Sequence, residues 1–284
     1  MSQRIVIENE VLRVEISSYG AEIQSVQKNG EELFWEGDPA IWSGHSPILF
    51  PICGGLKEDR YSFSEKEYTL PKHGFARKSE FLVDSAEKTC AAFSLRSSEE
   101  TKKVYPFEFC LTVTYQLEGE ALFVRYDVQN LSEGTMYFSI GSHEAYACPN
   151  GIEEYSVIFE HAETLNSVVL EGNTLSSRTV CIGENVRELP LSYDYFAVDA
   201  LVFTDLKSRM VTLQNRRTGK KIKVEFPGAD YFLLWTKPQA GYICIEPWCG
   251  CPDYTESSYD ITQKRGMIAL PKGEACTKKH TITF

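Results

Sequence analysis

Phe109-Cys110-Leu111-Thr112-Val113-Thr114-Tyr115-Gln116-Leu117-Glu118-Gly119-Glu120-Ala121-Leu122-Phe123-Val124-Arg125-Tyr126-Asp127-Val128 is the stretch that decides the fold. Phe109, Leu111, Val113, Tyr115 and Leu117 recur at every second position; Glu118-Gly119-Glu120 turns; Leu122, Val124, Tyr126 and Val128 repeat the pattern. A period of two is the mark of a strand with one face in the core, because successive side chains point to opposite sides of the sheet. A turn near Ser132-Glu133-Gly134 then leads to Met136, Phe138 and Ile140. A three-stranded antiparallel meander is expected.

The same period extends in both directions. Leu12, Val14 and Ile16 alternate with Arg13, Glu15 and Ser17, and Asn29-Gly30 stands where a hairpin turn needs positive φ at both central residues. Further strands are expected at Val157–Phe159, Ala200–Phe203, Val211–Gln214, Lys221–Phe226, Phe232–Thr236, Tyr242–Glu246 and Lys279–Phe284. No amphipathic 3.6-residue run exceeds three turns, and neither a Gly/Ser- or Pro-rich linker nor an internal repeat divides the chain. These patterns predict an all-β protein, one large antiparallel β-sandwich domain over residues 1–284 with few or no long helices. Residues 37–78 and 165–191 lack regular alternation and are expected to be long loops, which in compact domains are often functional.

Composition narrows the class. The chain has 284 residues, 43% apolar, and 12% aromatic, a content that suits pleated, half-buried surfaces. Forty acidic against 29 basic residues give a net charge of −11, which repels nucleic acid and anionic membranes, so neither is an expected partner. Nine irregularly spaced cysteines fit free thiols in a reducing compartment. The opening Met1-Ser2-Gln3-Arg4-Ile5-Val6-Ile7 reads as a first strand rather than a signal peptide. A cytoplasmic location is expected.

Five histidines are present. His73 opens His73-Gly74-Phe75-Ala76-Arg77, and His143 follows the strand-like Ser139-Ile140-Gly141-Ser142, where a strand end would hold it at the rim of a sheet. Glu246 lies in Tyr242-Ile243-Cys244-Ile245-Glu246-Pro247-Trp248; alternation puts Ile243 and Ile245 on one face and Tyr242, Cys244 and Glu246 on the other. A carboxylate on so apolar a strand is costly to bury without a partner or a task. His45 is given no role, and His161 and His280, on polar segments, are expected to be solvated.

Taken in order, His73-Gly74-Phe75-Ala76-Arg77, Gly141-Ser142-His143 and Glu246-Pro247-Trp248 resemble the aldose 1-epimerase (galactose mutarotase-like) superfamily, most closely its divergent bacterial branch and the related glucose-6-phosphate 1-epimerases. Tyr19-Gly20-Ala21-Glu22-Ile23 and Pro47-Ile48-Leu49-Phe50-Pro51 fit as well, so the resemblance spans nearly the whole chain. It implies a galactose mutarotase-like supersandwich with a sugar-binding groove. It also implies catalysis by Glu246 as the base at the anomeric hydroxyl and His143 as the acid at the ring oxygen. His73, Arg77, Asp199 and Trp248 would bind the sugar. The implied activity interconverts α and β anomers of an aldohexose or hexose 6-phosphate without cofactor or metal, and the implied partner is a small-molecule sugar or sugar phosphate.

That division of labour suits the chemistry, since ring opening needs one proton removed and one delivered, and positioned acid–base groups each contribute about 10²–10⁴-fold. The galactose mutarotases carry an Asn-Arg pair soon after the place occupied here by Pro51-Ile52-Cys53-Gly54-Gly55-Leu56; the basic residues near that place are Lys57 and Arg60, displaced from it. Arg77 instead ends the histidine string, as in the sugar-phosphate enzymes. Two other readings stand beside this one: a catalytically silent carbohydrate-binding or regulatory β-sandwich, and a glycoside hydrolase, which usually needs a second carboxylate. Cys249-Gly250-Cys251, with Cys244 nearby, lacks the C-x₂₋₄-C spacing of structural zinc sites. The basic run Arg216-Arg217-Thr218-Gly219-Lys220-Lys221 reads as a solvated hairpin tip.

Overall fold

A computed structural model describes residues 2–284. Three antiparallel sheets dominate. A nine-stranded sheet runs, in spatial order, Thr174–Pro190, Tyr155–Glu171, Met210–Asn215, Lys221–Glu225, Ala275–Thr283, Ala121–Asn130, Phe109–Glu118, Cys90–Arg96 and Leu82–Ala86. A four-stranded sheet is built from the N-terminal strands Arg4–Glu8, Leu12–Ser17, Glu22–Lys28 and Glu31–Glu32. The third sheet centres on Tyr242–Cys249, flanked on one side by Ile140–Gly141 and Glu144–Ala147 and on the other by Tyr231–Trp235 and then Leu201–Phe203. Among the described residues the one α-helix is Glu99–Val104, closed by a capping box between Ser98 and Thr101. All three sheets feed one continuous core, to which Val14 and Ile23, Val113 and Val124, and Ile243 and Ile245 all belong. The mostly β, antiparallel architecture expected from alternation is the one observed.

The decisive stretch forms its hairpin in full register, from Ala121 opposite Glu118 to Asn130 opposite Phe109. Its inward residues Val113, Leu122 and Val124 are essentially inaccessible, and each such burial is worth about 1.5–3 kcal/mol. Asn29 and Gly30 both take positive φ (53° and 82°) and turn Glu22–Lys28 back into Glu31–Glu32. Arg216–Lys220 is the exposed turn between Met210–Asn215 and Lys221–Glu225.

Two expectations are corrected. Met136–Phe138 is not the third strand of the meander; it pairs with Ile268–Leu270, while Ala275–Thr283 takes the free edge of Ala121–Asn130. The Asn130 amide fixes this departure by donating to the carbonyls of Gly134 and Leu270 (2.8 and 2.7 Å). Residues 165–191 are no loop but most of a 17-residue by 17-residue hairpin, Tyr155–Glu171 with Thr174–Pro190. Its register shifts four times, at Ile158/Glu163, Glu163/Leu165, Leu165/Asn166 and Val168/Leu170. The first three shifts are by an odd number of residues and invert the inside–outside parity, which is why no steady period of two survives in its sequence. Residues 37–78 do run largely without regular structure, apart from the small hairpin Arg60–Phe63 with Lys66–Thr69 and two 3₁₀ turns.

Candidate active site

The strand Tyr242–Cys249 is buried along its whole length, and its two faces divide as alternation predicts. Ile243 and Ile245 enter the main core, whereas Tyr242 and Cys244 pack with Ala145, Trp35, Trp42 and Trp235, and Glu246 lines an open groove of about 490 Å³. That volume lies within the range of small-molecule sites, about 300–1,000 Å³.

The register explains how His143 meets Glu246. Gly141 lies opposite Trp248 and Glu144 opposite Ile245, so the same register carried across the gap sets Ser142 opposite Pro247 and His143 opposite Glu246. Pro247 has no N–H to donate, and the ladder is interrupted there. The side chains still share a face, as cross-strand neighbours do. His143 Nε2 stands 3.4 Å from Glu246 Oε2, with only 8% and 1% of the two residues exposed. Gly141 is required beside them, because a Cβ there would come within 2.6 Å of the Trp248 indole. That indole N–H donates to the carbonyl of Ser142 (3.0 Å) and clamps the chain just before His143. Trp42 and Trp235 flank the imidazole at ring separations of 5.1 and 5.5 Å.

His73 arrives from the long irregular segment. Its own φ of 69° and that of Gly74, 67°, fold the chain back under the groove, and at Gly74 a Cβ would strike the Phe50 carbonyl at 2.3 Å. The Gly54 N–H donates to His73 Nδ1 (3.1 Å), which leaves Nε2 to carry the proton. His73 is thereby a fixed neutral donor, 5.7 Å ring to ring from His143 and 5.6 Å from Trp248. Burial, reinforced by His143, Lys72 and Arg77, holds its imidazole well below the ordinary histidine range.

Electrostatics in the groove favour an uncharged pair. Burial, with Lys72 and Arg77 adding to it, pushes His143 down to about 3. Burial also drives the Glu246 carboxyl well up; Lys72 opposes this, and Glu144 and Asp199 add to it. Both shifts follow from the cost of holding a charge away from water. Neither His143 Nδ1 nor Glu246 Oε2 has a hydrogen-bond partner among the described residues.

The groove brings together all six residues singled out from sequence: His143, Glu246, His73, Arg77, Asp199 and Trp248 all line it. Asp199 sits at the rim, its carboxylate accepting from the N–H of Ala200 (2.8 Å). Arg77 is half-buried, donates through Nη2 to the carbonyl of Lys72 (3.2 Å), and keeps an unpaired Nε. Lys57 and Arg60 do not line it; Arg60 is held by Glu58 and Glu67. Sequence reading passed over Lys72, Trp42 and Trp235, all of which line the groove. Lys72 adjoins His73 in the motif, a usable signal; nothing local marks the tryptophans. Cys249 and Cys251 point elsewhere, their thiols against the carbonyls of Gly228 and Arg265. His280 is a correction: it is 3% exposed and its Nε2 lies 2.9 Å from Glu144 Oε1. It shares strand parity with Ile282, which points into the core. His161 is exposed.

Comparison with known proteins speaks to the family and the fold. The aldose 1-epimerase family model matches residues 3–283. The plasmid-encoded protein LacX of Lactococcus lactis subsp. lactis is 33% identical over 296 residues, covering 99% of each chain. The crystal structure of a galactose mutarotase related enzyme from Lactobacillus acidophilus superposes with a TM-score of 0.93 at 33% identity, over 99% of this chain and 97% of that one. A galactose mutarotase-like protein from Lactobacillus casei gives 0.94 at 27% identity, over 99% of both. With a matching β architecture and a family match over residues 3–283, this chain belongs to the aldose 1-epimerase family.

Proposed function

We propose that the protein is an active aldose 1-epimerase whose acid–base pair is His143 and Glu246 and whose preferred substrate is a hexose 6-phosphate. The 3.4 Å approach of these two side chains on one groove face carries the catalytic half of this reading. The Glu246 carboxylate takes the proton from the anomeric hydroxyl as the C1–O5 bond breaks, and O5 takes a proton from the His143 imidazolium. The free aldehyde rotates about C1–C2. Closure returns the proton from Glu246 to the aldehyde oxygen and the proton from O5 to His143. The pair holds a single transferable proton throughout, and burial favours the form in which Glu246 carries it. His73, with Nε2–H free, donates to a sugar oxygen, and the faces of Trp42, Trp235 and Trp248 suit the C–H surfaces of a pyranose.

The phosphate half rests on Lys72 and Arg77. Both line the groove, and among the described residues neither has a carboxylate within 4.0 Å. Two unpaired cations in the groove of a chain carrying −11 match an anionic substrate, and the arginine fork is suited to phosphate oxygens. The test follows the optical rotation of freshly dissolved α-glucose, α-galactose and their 6-phosphates. Acceleration should be greatest for a 6-phosphate, and replacing both Lys72 and Arg77 by Ala should lower the preference over the neutral sugar by about tenfold or more, one charge-assisted contact being worth about 1.5–3 kcal/mol. If no sugar relaxes faster than with Glu246→Gln, the catalytic reading fails. If neutral sugars are preferred, the phosphate reading fails.

A further inference from the structure

Alternation along Tyr242–Cys249 places the thiol of Cys244 on the same face as Glu246, and His143 closes on that face from the neighbouring strand end. One ligating atom from each of the three, a nitrogen, a sulfur and an oxygen, lies within 4.8 Å of the other two, and all three residues are buried. We propose that His143, Cys244 and Glu246 bind a thiophilic divalent cation, Zn²⁺ being the best match, and that the bound ion blocks the acid–base pair. The blocking half rests on the catalytic reading above; the binding half does not.

Zinc bonds of about 2.0–2.3 Å in a tetrahedron set ligand atoms about 3.3–3.8 Å apart. The His143–Glu246 separation of 3.4 Å already matches this, and the Cys244 thiol, within 4.8 Å of both, has at most about 1.5 Å to close. Glu246 Oε2, one end of that 3.4 Å approach, is a buried polar atom without a hydrogen-bond partner. Ion binding expels the thiol and carboxyl protons to solvent; thiolate, carboxylate and neutral imidazole then cancel the charge of the cation, so the buried complex is neutral. The groove supplies an open fourth position, the arrangement of three protein ligands plus one exchangeable site. Sulfur and imidazole select zinc and cobalt over magnesium and calcium, which take oxygen ligands.

The test titrates the full-length protein with Co²⁺. A thiolate-to-cobalt charge-transfer band should appear, saturate at one ion per chain, bleach with Zn²⁺ and resist Mg²⁺. Cys244→Ser and Cys244→Ala should each abolish the band and weaken Zn²⁺ binding by at least about 100-fold, the upper end of what losing a supporting group costs a metal site. Cys181→Ser, at an exposed thiol, should change neither. A wild-type chain without the band, or a band that survives in both Cys244 variants, overturns the site. Anomer exchange that is accelerated by the protein yet indifferent to one equivalent of Zn²⁺ overturns the block. A Cys244-dependent band in a protein that accelerates no sugar upholds the site while the catalytic reading falls.

Discussion

Two neighbouring residues, His143 and Glu144, each form a histidine–glutamate pair, on opposite sides of the same sheet. His143 faces the groove and meets Glu246 at 3.4 Å; Glu144 faces the core and meets His280 at 2.9 Å. All four residues are at most 8% exposed. Their surroundings separate them. The core pair is sealed in an interior that contains Tyr115, Tyr126 and Tyr146, tyrosines whose hydroxyls burial pushes well up. The groove pair borders an open cavity with Lys72, Arg77 and the unpaired donor of His73 beside it. The same two residue types thus supply a structural tie between sheets on one face and reactive groups on the other. Burial alone does not distinguish them; access to a substrate does.

The comparison breaks most sharply at the groove. Glu246→Gln keeps size and buried polarity but cannot cycle a proton, so the rate of anomer exchange should fall by about 10²–10⁴-fold. Unfolding in urea should shift little, because burial already opposes charging of the wild-type carboxyl and the amide keeps its size and polarity. His280→Ala should do the converse, costing about 1–3 kcal/mol of stability by removing the polar neighbour of the buried Glu144, with most of the exchange rate per folded molecule retained. The pH profile sharpens the contrast further. The pair works with one proton and is inactivated when His143 takes up a second, so the acid limb should lie near pH 3. A solvated histidine would place that limb near its ordinary value of about 6.5. The smallest effect is expected from Trp248→Phe, which removes the donor to the Ser142 carbonyl and should cost about 1 kcal/mol while loosening His143.

Much of this was legible in the chain. The Phe109–Glu118 and Ala121–Asn130 strands, the Asn29-Gly30 turn and the two faces of Tyr242–Cys249 follow from parity and turn chemistry. What alternation cannot supply is pairing. A period of two reports that one face is buried, but not which strand lies beside it, and so Met136–Phe138 was joined to the wrong neighbour. Bulges hid the hairpin of Tyr155–Glu171 and Thr174–Pro190 by inverting parity within single strands. The same limit applies at the site. Glu246 stood out as a carboxylate on an apolar strand and His143 as a histidine at a strand end, yet their direct opposition depends on a register that only the folded sheet reveals. His280 was missed because Lys278 and Lys279 precede it, although Ile282 on the same face marked the inward side.

The central claim is that His143 and Glu246 act as one unit in moving a proton around the sugar ring. Saturation-transfer NMR of α/β exchange in a hexose 6-phosphate tests it directly, with wild type, Glu246→Gln, His143→Gln and the double variant. Each single variant should lose nearly as much rate as the double, because half of a proton relay carries no flux. Multiplicative losses in the double variant, or wild-type exchange no faster than that of Glu246→Gln, would contradict the account.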